Sequence, residues 1–441
     1  MEDLGNNFSA ELSIIILMLF SILFVSLKFS RTIFNFLFFF FIFQHLVIYF
    51  ELAKANFFEK SIVTNQFEKE DYFLEDDLKF IIDNKRKNKN IYYFVIDNFT
   101  SLNQYKVLGG KQDIYEILKF FENNGFTYIT NTYSSFNDTA ATFGSILNLN
   151  PIITDTKDIS NDEYFELTYP NNLSTFNFRT GNYPALIENL NKINYKFYWL
   201  GNYKFNCKYY NKNLCIDLDK KQKSSFLENI NLHILKTFLS NTPTEEIIRL
   251  LVFNLEKYTT SVENYEVSTF SIKNFIKSIK EFGSNNSNFY FIHNVDNSFP
   301  FKYDGNCNTV TSHIKKQQEF NINNYIKSYL NSYDCNLKVL KEFVSFVKNH
   351  DPEAIVIIQS DHGPRVLYED ITDLRRYEIF NLVKVNNGCD KYISNQIDNI
   401  NSVRLALSCA TSSKVKLIDK KTYFTDKINV KNYKTIEIST K

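Results

Sequence analysis

The chain opens with two apolar runs separated by a short basic turn, and continues as short apolar runs alternating with longer helical patterns. Leu12 to Leu27 is nearly unbroken and slightly short for a bilayer span unless Phe8 to Glu11 contribute, whereas Thr32 to Phe50 has about the spanning length. Lys28 and Arg31 lie between the runs, and Glu2, Asp3 and Glu11 precede the first. This charge pattern predicts a transmembrane helical hairpin with a cytoplasmic loop and both ends facing outward. A cleaved signal is the competing reading, with Ala53 to Ala55 as the small-residue site; the length of the second run and the presence of the first favour the hairpin. Gln44 and His45, polar at membrane depth, are placed near the interface or against the other helix. Residues 1–50 are therefore read as two transmembrane helices, 51–89 as a charged amphipathic connector ending in the basic run Lys85 to Lys89, and 90–441 as one outer domain.

Within that domain the pattern predicts β-α units around a mainly parallel central sheet flanked by helices, an α/β fold. Ile91 to Ile96 and Ala354 to Ile358 read as buried strands, and Thr127 to Thr130 and Asn288 to Val295 as others. Apolar residues at helical spacing fill Asp113 to Gly125 and Tyr325 to Lys348, while Tyr183 to Gly201 gives a helix and then a strand. A helix near Ile272 to Phe282 precedes the strand at 288, and residues 226–264 read as a helical insertion. With 441 residues and a net charge of +1, the chain gives no reason to expect a nucleic-acid partner, which would require a basic face matched to phosphate.

The candidate chemistry gathers where apolar strands stop. Asp97 ends the first strand, and Asp361 and His362 follow the strand at 354, so both deliver polar groups to one edge of the sheet, where open α/β sheets place their sites. Asp and Gly also end strands simply because they suit turns, and Ser-Asp-His-Gly alone is weak evidence. Two acids and an imidazole can bind one divalent cation. Asn137 and Asp138 are cap-type residues before a helix striped by Phe143, Ile146 and Leu147, which puts Thr139 in its first turn. There the hydroxyl feels the positive helix end, and a bound cation would make it a nucleophile; the plain alternative is an ordinary cap threonine.

The order of Asp97 in "FVIDNFT", Thr139 at a helix start, "FIHNVDNSFPF" and "SDHGPR" resembles the alkaline phosphatase superfamily, in particular its membrane-anchored sulfatase-like branch with lipoteichoic acid synthase and the phosphoethanolamine transferases. The resemblance runs from about Asn90 to Phe424 and includes "NSVRLAL" and "KLIDKKTYF". It implies that Asp97, Thr139, Asp361 and His362 bind the metal, that Thr139 attacks phosphorus, and that His293 contacts substrate, although a structural strand-end histidine is as good a reading of His293. Ser298 stands where the family usually has a histidine. No cysteine begins C-x-P-x-R, which disfavours a sulfatase, and a domain with only His233, His293, His313, His350 and His362 disfavours a two-metal phosphatase.

Six cysteines, all in the outer domain, suit an oxidising compartment and leave their connectivity open. Cys207 and Cys215 are close in sequence; the resemblance suggests that the blocks holding Cys307 and Cys335 pack together, which leaves Cys389 with Cys409. The expectation is a one-metal phospho-group transferase or phosphodiesterase anchored in the cell (inner) membrane with its catalytic domain outside the cytoplasm, acting on a lipid-linked or cell-envelope glycan substrate. Zn or Mn fits the ligands ahead of Mg. The alternative is a silent relative with a binding or assembly role, motivated by Ser298.

Overall fold

The computed structural model describes residues 89–153, 164, 167–168, 184–201, 215–217, 275–277, 279, 287–299, 301–310, 321–385, 388–395, 397–411, 417–426 and 429–437. The two apolar runs, the Ala53 to Ala55 site, the connector up to residue 88, the 226–264 insertion and Cys207 lie outside the described residues, as does the side chain of Cys215. Among the described residues no helix is long and apolar enough to cross a membrane.

The centre is a strand that tolerates no water on either face. β1 (Ile91–Ile96) is apolar or aromatic at every position and buried throughout, as is expected where helices cover both sides of a parallel sheet. β5 (Asn288–Asn294) and β6 (Ile355–Ser360) lie in parallel on its two sides. β3 (Lys196–Gly201) and β4 (Cys215–Asp217) extend the sheet in parallel beyond β5. On the other side β7 (Asn381–Lys384) and β2 (Thr127–Tyr128) are antiparallel, giving seven strands in the order β2-β7-β6-β1-β5-β3-β4. The antiparallel edge has a local cause. Between β6 and β7 the chain forms only turns and single-turn 3-10 helices, with no crossover helix to carry it back for a parallel pairing.

Helices close both faces. On one, α1 (Leu102–Val107), α2 (Ile114–Glu122) and the 29-residue α5 (Ile322–His350) pack with Tyr92, Phe94 and Ile96 of β1. α5 sets Tyr325, Tyr329, Tyr333, Leu337, Leu340, Phe343, Val344 and Val347 against the sheet at three- and four-residue spacing, and Asn321 caps its start. Both ends run beyond the expected Tyr325 to Lys348. The other face carries α3 (Thr139–Asn148), α4 (Ala185–Lys192) and α6 (Asn399–Thr411), whose residues are buried along the whole of α6. Phe143 of α3 meets Phe291, and Trp199 stacks on the same ring at 4.7 Å.

Two disulfides join segments to these helices. Cys307 pairs with Cys335 of α5, and Cys389 with Cys409 of α6. Both pairings are those expected from the resemblance. A separate hairpin, β8 (Lys421–Asp426) with β9 (Asn429–Glu437), packs beside the segment leading to α3: Tyr423 N–H donates to Ser135 O, and the Tyr423 ring stacks on Phe136.

The Cys307–Cys335 bond closes a span of 28 residues. Loop-closure entropy then predicts that Cys335→Ser lowers unfolding free energy by about 3.5 kcal/mol. The sole tryptophan, Trp199, is buried, so its fluorescence during urea denaturation provides the measurement.

Candidate active site

Strand register builds the site. Ile96 of β1 lies level with Ser360 of β6 and Asn294 of β5, so the next residues, Asp97 and Asp361, leave the sheet at the same height. Adjacent strands are about 4.8 Å apart, close enough for the two carboxylates to share one ion. Asn98 then adopts a positive φ of 59° and turns its N–H back to Asp361 Oδ1 at 3.0 Å. His362 N–H donates to the same oxygen at 2.8 Å, which leaves Asp361 Oδ2 facing the site.

The imidazole is fixed equally firmly. His362 Nδ1 lies 2.8 Å from Gly363 O, an acceptor only, so Nδ1 carries the proton and Nε2 keeps its lone pair. That lone pair lies 3.4 Å from Asp97 Oδ1 and 3.5 Å from Asp361 Oδ2. Three electron-rich atoms aimed at one point repel one another unless a cation or a proton lies between them. Ligand atoms of Asp97, Asp361 and His362 all fall within 4.8 Å of one another, a donor set of the kind that holds Zn or Mn. Gly363 permits this turn because a Cβ there would lie 2.6 Å from Arg375 O and 2.9 Å from Glu378 O.

Thr139 arrives from the opposite side. Asp138 caps α3 by accepting from Ala141 N–H at 3.2 Å, so Thr139 is the first helical residue, and Phe143, Ile146 and Leu147 are buried as the sequence pattern predicts. Thr139 Oγ1 donates to Asp361 Oδ2 at 2.6 Å, the oxygen that also faces His362. The approach is braced by Ser134 N–H on Tyr377 O at 2.8 Å and by Thr142 Oγ1 on Asp361 O at 3.3 Å. The plain role of a helix-start threonine is thus displaced: Asp138 provides the cap and the Thr139 hydroxyl is directed at the carboxylate.

Ser298 enters from the turn after β5. Its hydroxyl donates to Asp97 Oδ2 at 2.5 Å, leaving Oδ1 toward His362. Asn294 and Asn336 pair at 2.8 Å, and Ser332 holds Asp296 O at 2.8 Å, tying that turn to α5. His293 is not among the converging ligands. It is fully buried beside Phe143 and Trp199, at ring distances of 4.7 and 6.3 Å, and burial, aided by the nearby His362, pushes its pKa down to about 3.

Burial and mutual repulsion govern the acids. Loss of water pushes Asp97 up to about 7, with Asp361 raising it further while His362, the Ser298 hydroxyl and Arg365 oppose. Asp361 is raised by burial against the hydrogen bonds from Thr139, Asn98 and His362. Burial lowers His362, Asp97 draws it upward, and Arg365 lowers it again. Arg365 stands in the expected "SDHGPR" stretch without having been assigned a role; its signal was a guanidinium three residues after a ligand histidine.

No family model matches the chain, and no curated protein sequence matches it. Solved structures do. The chain is similar to the C-terminal periplasmic domain of EcEptC from Escherichia coli, with 10% identity and a TM-score of 0.48 over 82% of this chain and 95% of that one. It is similar to the soluble domain of lipooligosaccharide phosphoethanolamine transferase A from Neisseria meningitidis, with 11% identity and a TM-score of 0.47 over 77% of this chain and 93% of that one. A third is the lipoteichoic acid synthase LtaP from Listeria monocytogenes, with 12% identity and a TM-score of 0.42 over 78% of each. The likeness assigns no role to any residue of this chain.

The raised Asp97 yields a signed prediction. A carboxyl whose folded pKa is about 7 against about 3.9 unfolded favours the fold below about pH 4 and loses that contribution as pH rises through about 7. In chelator, Asp97→Asn therefore gains stability relative to the parent chain between pH 4 and 7. Paired urea denaturation across that range measures it, and a difference independent of pH would contradict the assignment.

Proposed function

We propose that the chain is a metal-dependent phospho-group transferase or phosphodiesterase of the membrane-anchored sulfatase-like branch, working outside the cytoplasm on a lipid-linked or cell-envelope substrate. One observation carries the reading. Three segments far apart in sequence bring Asp97, Thr139, and the adjacent Asp361 and His362 to one point, with a hydroxyl on an oxygen that also faces the imidazole. An ordinary helix cap and an ordinary strand-end turn have no reason to meet in this way. The motif order supports the superfamily, and the two disulfides support an oxidising compartment. The apolar runs before residue 51 motivate the membrane and the lipid-linked substrate.

Asp97 Oδ1, Asp361 Oδ2, His362 Nε2 and Thr139 Oγ1 would hold one divalent ion, Zn or Mn. When bound, that ion supplies charge that lowers the hydroxyl pKa and polarises a phosphoryl oxygen. The protein groups do the rest. Thr139 Oγ1 forms the bond to phosphorus, its proton moving along the existing hydrogen bond toward Asp361 Oδ2. The bond from phosphorus to the leaving alcohol breaks with its electron pair, and solvent protonates that alkoxide. An incoming hydroxyl, from acceptor or water, then bonds to phosphorus and releases its proton to solvent, while the bond from phosphorus to Thr139 Oγ1 breaks with its electron pair and Thr139 recovers the proton held on Asp361 Oδ2. The α3 amino end stabilises charge on the phosphoryl group throughout.

Elemental analysis of the purified full-length chain is expected to find about one Zn or Mn per molecule, and Asp361→Asn to lose it. Thr139→Ala should keep metal yet lose turnover of a phosphodiester reporter by at least about a thousandfold, the range for removing a nucleophile. Activity persisting in metal-bearing Thr139→Ala would rule out the threonine mechanism.

A further inference from the structure

Resting on the function just proposed, we infer that Arg365 is the substrate-binding residue that grips the non-bridging oxygens of the phosphoryl group held at Thr139.

The argument is one of unused donors. Arg375 spends its guanidinium on Asp373, through contacts of 2.5, 2.9 and 3.1 Å. Arg376 spends its own on Tyr368 O at 2.5 Å and Glu369 O at 3.3 Å, and the Asn137 amide oxygen accepts from its Nε at 3.3 Å and Nη2 at 3.2 Å. Arg365 makes one long contact, Nη1 to Asn137 O at 3.4 Å, and among the described residues it has no carboxylate within salt-bridge distance. An arginine has five N–H donors, so most of this fork is available. Its position gives those donors an object. Asn137 lies two residues before Thr139, and Arg365 opens the 3-10 turn three residues after His362, so the guanidinium joins the segment that carries the ligands to the loop that carries the nucleophile, at a partly exposed place.

Charge supports the same view. The guanidinium lies near enough to Asp97, Asp361 and His362 to act on each electrostatically, as a lesser influence beside burial. Two acids already offset a divalent ion, and a phosphoryl group would bring further negative charge that only a local cation can match. A planar fork takes two tetrahedral oxygens at once, a geometry that lysine lacks. The ligand class is a phosphate mono- or diester, with inorganic phosphate as its minimal form. In this arrangement Arg365 provides the cation, while the short hydroxyl of Ser298 is occupied by Asp97.

The test uses full-length protein in detergent loaded with Zn, and inorganic phosphate as the titrant in calorimetry. Charge-assisted hydrogen bonds are worth about 1.5–3 kcal/mol, so Arg365→Ala should weaken phosphate binding about 10- to 100-fold. Metal content and the unfolding midpoint should stay at parental values, because Arg365 is not a ligand. Arg365→Lys should recover part of the affinity, and with a phosphodiester reporter Arg365→Ala should raise KM as well as lower kcat. Unchanged phosphate affinity in metal-bearing Arg365→Ala overturns the inference while leaving the functional reading intact. Loss of phosphate binding only together with metal or folding also overturns it, showing a structural strut for the Asn137 loop. A parental chain that holds no metal defeats both.

Discussion

The parallel pairing of β1 with β6 is the constraint from which the rest of the site follows. It sets Ile96 against Ser360, so two acids 264 positions apart in the chain leave the sheet together, Asp361 fully buried and Asp97 mostly so. Two carboxylates so placed cannot both stay ionised at no cost: burial raises the pKa of each, and Asp361 raises that of Asp97 further. A cation relieves the conflict directly. The same burial that would be a defect in a structural turn is what gives a metal site its affinity.

The surroundings hold the conflict in place instead of dissipating it. Backbone N–H groups of Asn98 and His362 occupy one oxygen of Asp361, and Ser298 occupies one oxygen of Asp97, so each acid turns its remaining oxygen toward His362. The carbonyl of Gly363 fixes the imidazole tautomer, and only glycine fits where that turn approaches the carbonyls of Arg375 and Glu378. Packing supports these bonds from below. The tyrosine stripe of α5 fills one side of the sheet: Tyr333 stacks on Phe99 at 3.8 Å and donates to Thr100 O, anchoring the chain just past Asp97. On the other side, α3 fastens Phe143 against Phe291 while presenting Thr139 at its exposed end.

Ser298 also looks different in its structural setting. Read as a lost imidazole, it argued for a silent protein. In the structure its hydroxyl is an ordering bond on Asp97, and a neighbouring arginine supplies positive charge to the same cluster. The residue change alters how the site is held without removing any of the four converging groups.

Much of this was legible from local pattern. The all-apolar run of Ile91 to Ile96 could only be a central strand, the cap at Asp138 and the stripe at Phe143, Ile146 and Leu147 could only begin a helix, and two strands ending in acids marked one edge of a sheet. Such features depend on periodicity and capping, which act over a few residues. What the tertiary structure alone decided was meeting and direction: that Thr139 points to Asp361, that Asp97 converges with Asp361 and His362, that Ser298 bonds Asp97, and that His293 is buried against Phe143 and Trp199. Those outcomes depend on strand register and on which partners reach each side chain first. Both are set by contacts between segments hundreds of residues apart, and no local pattern encodes them.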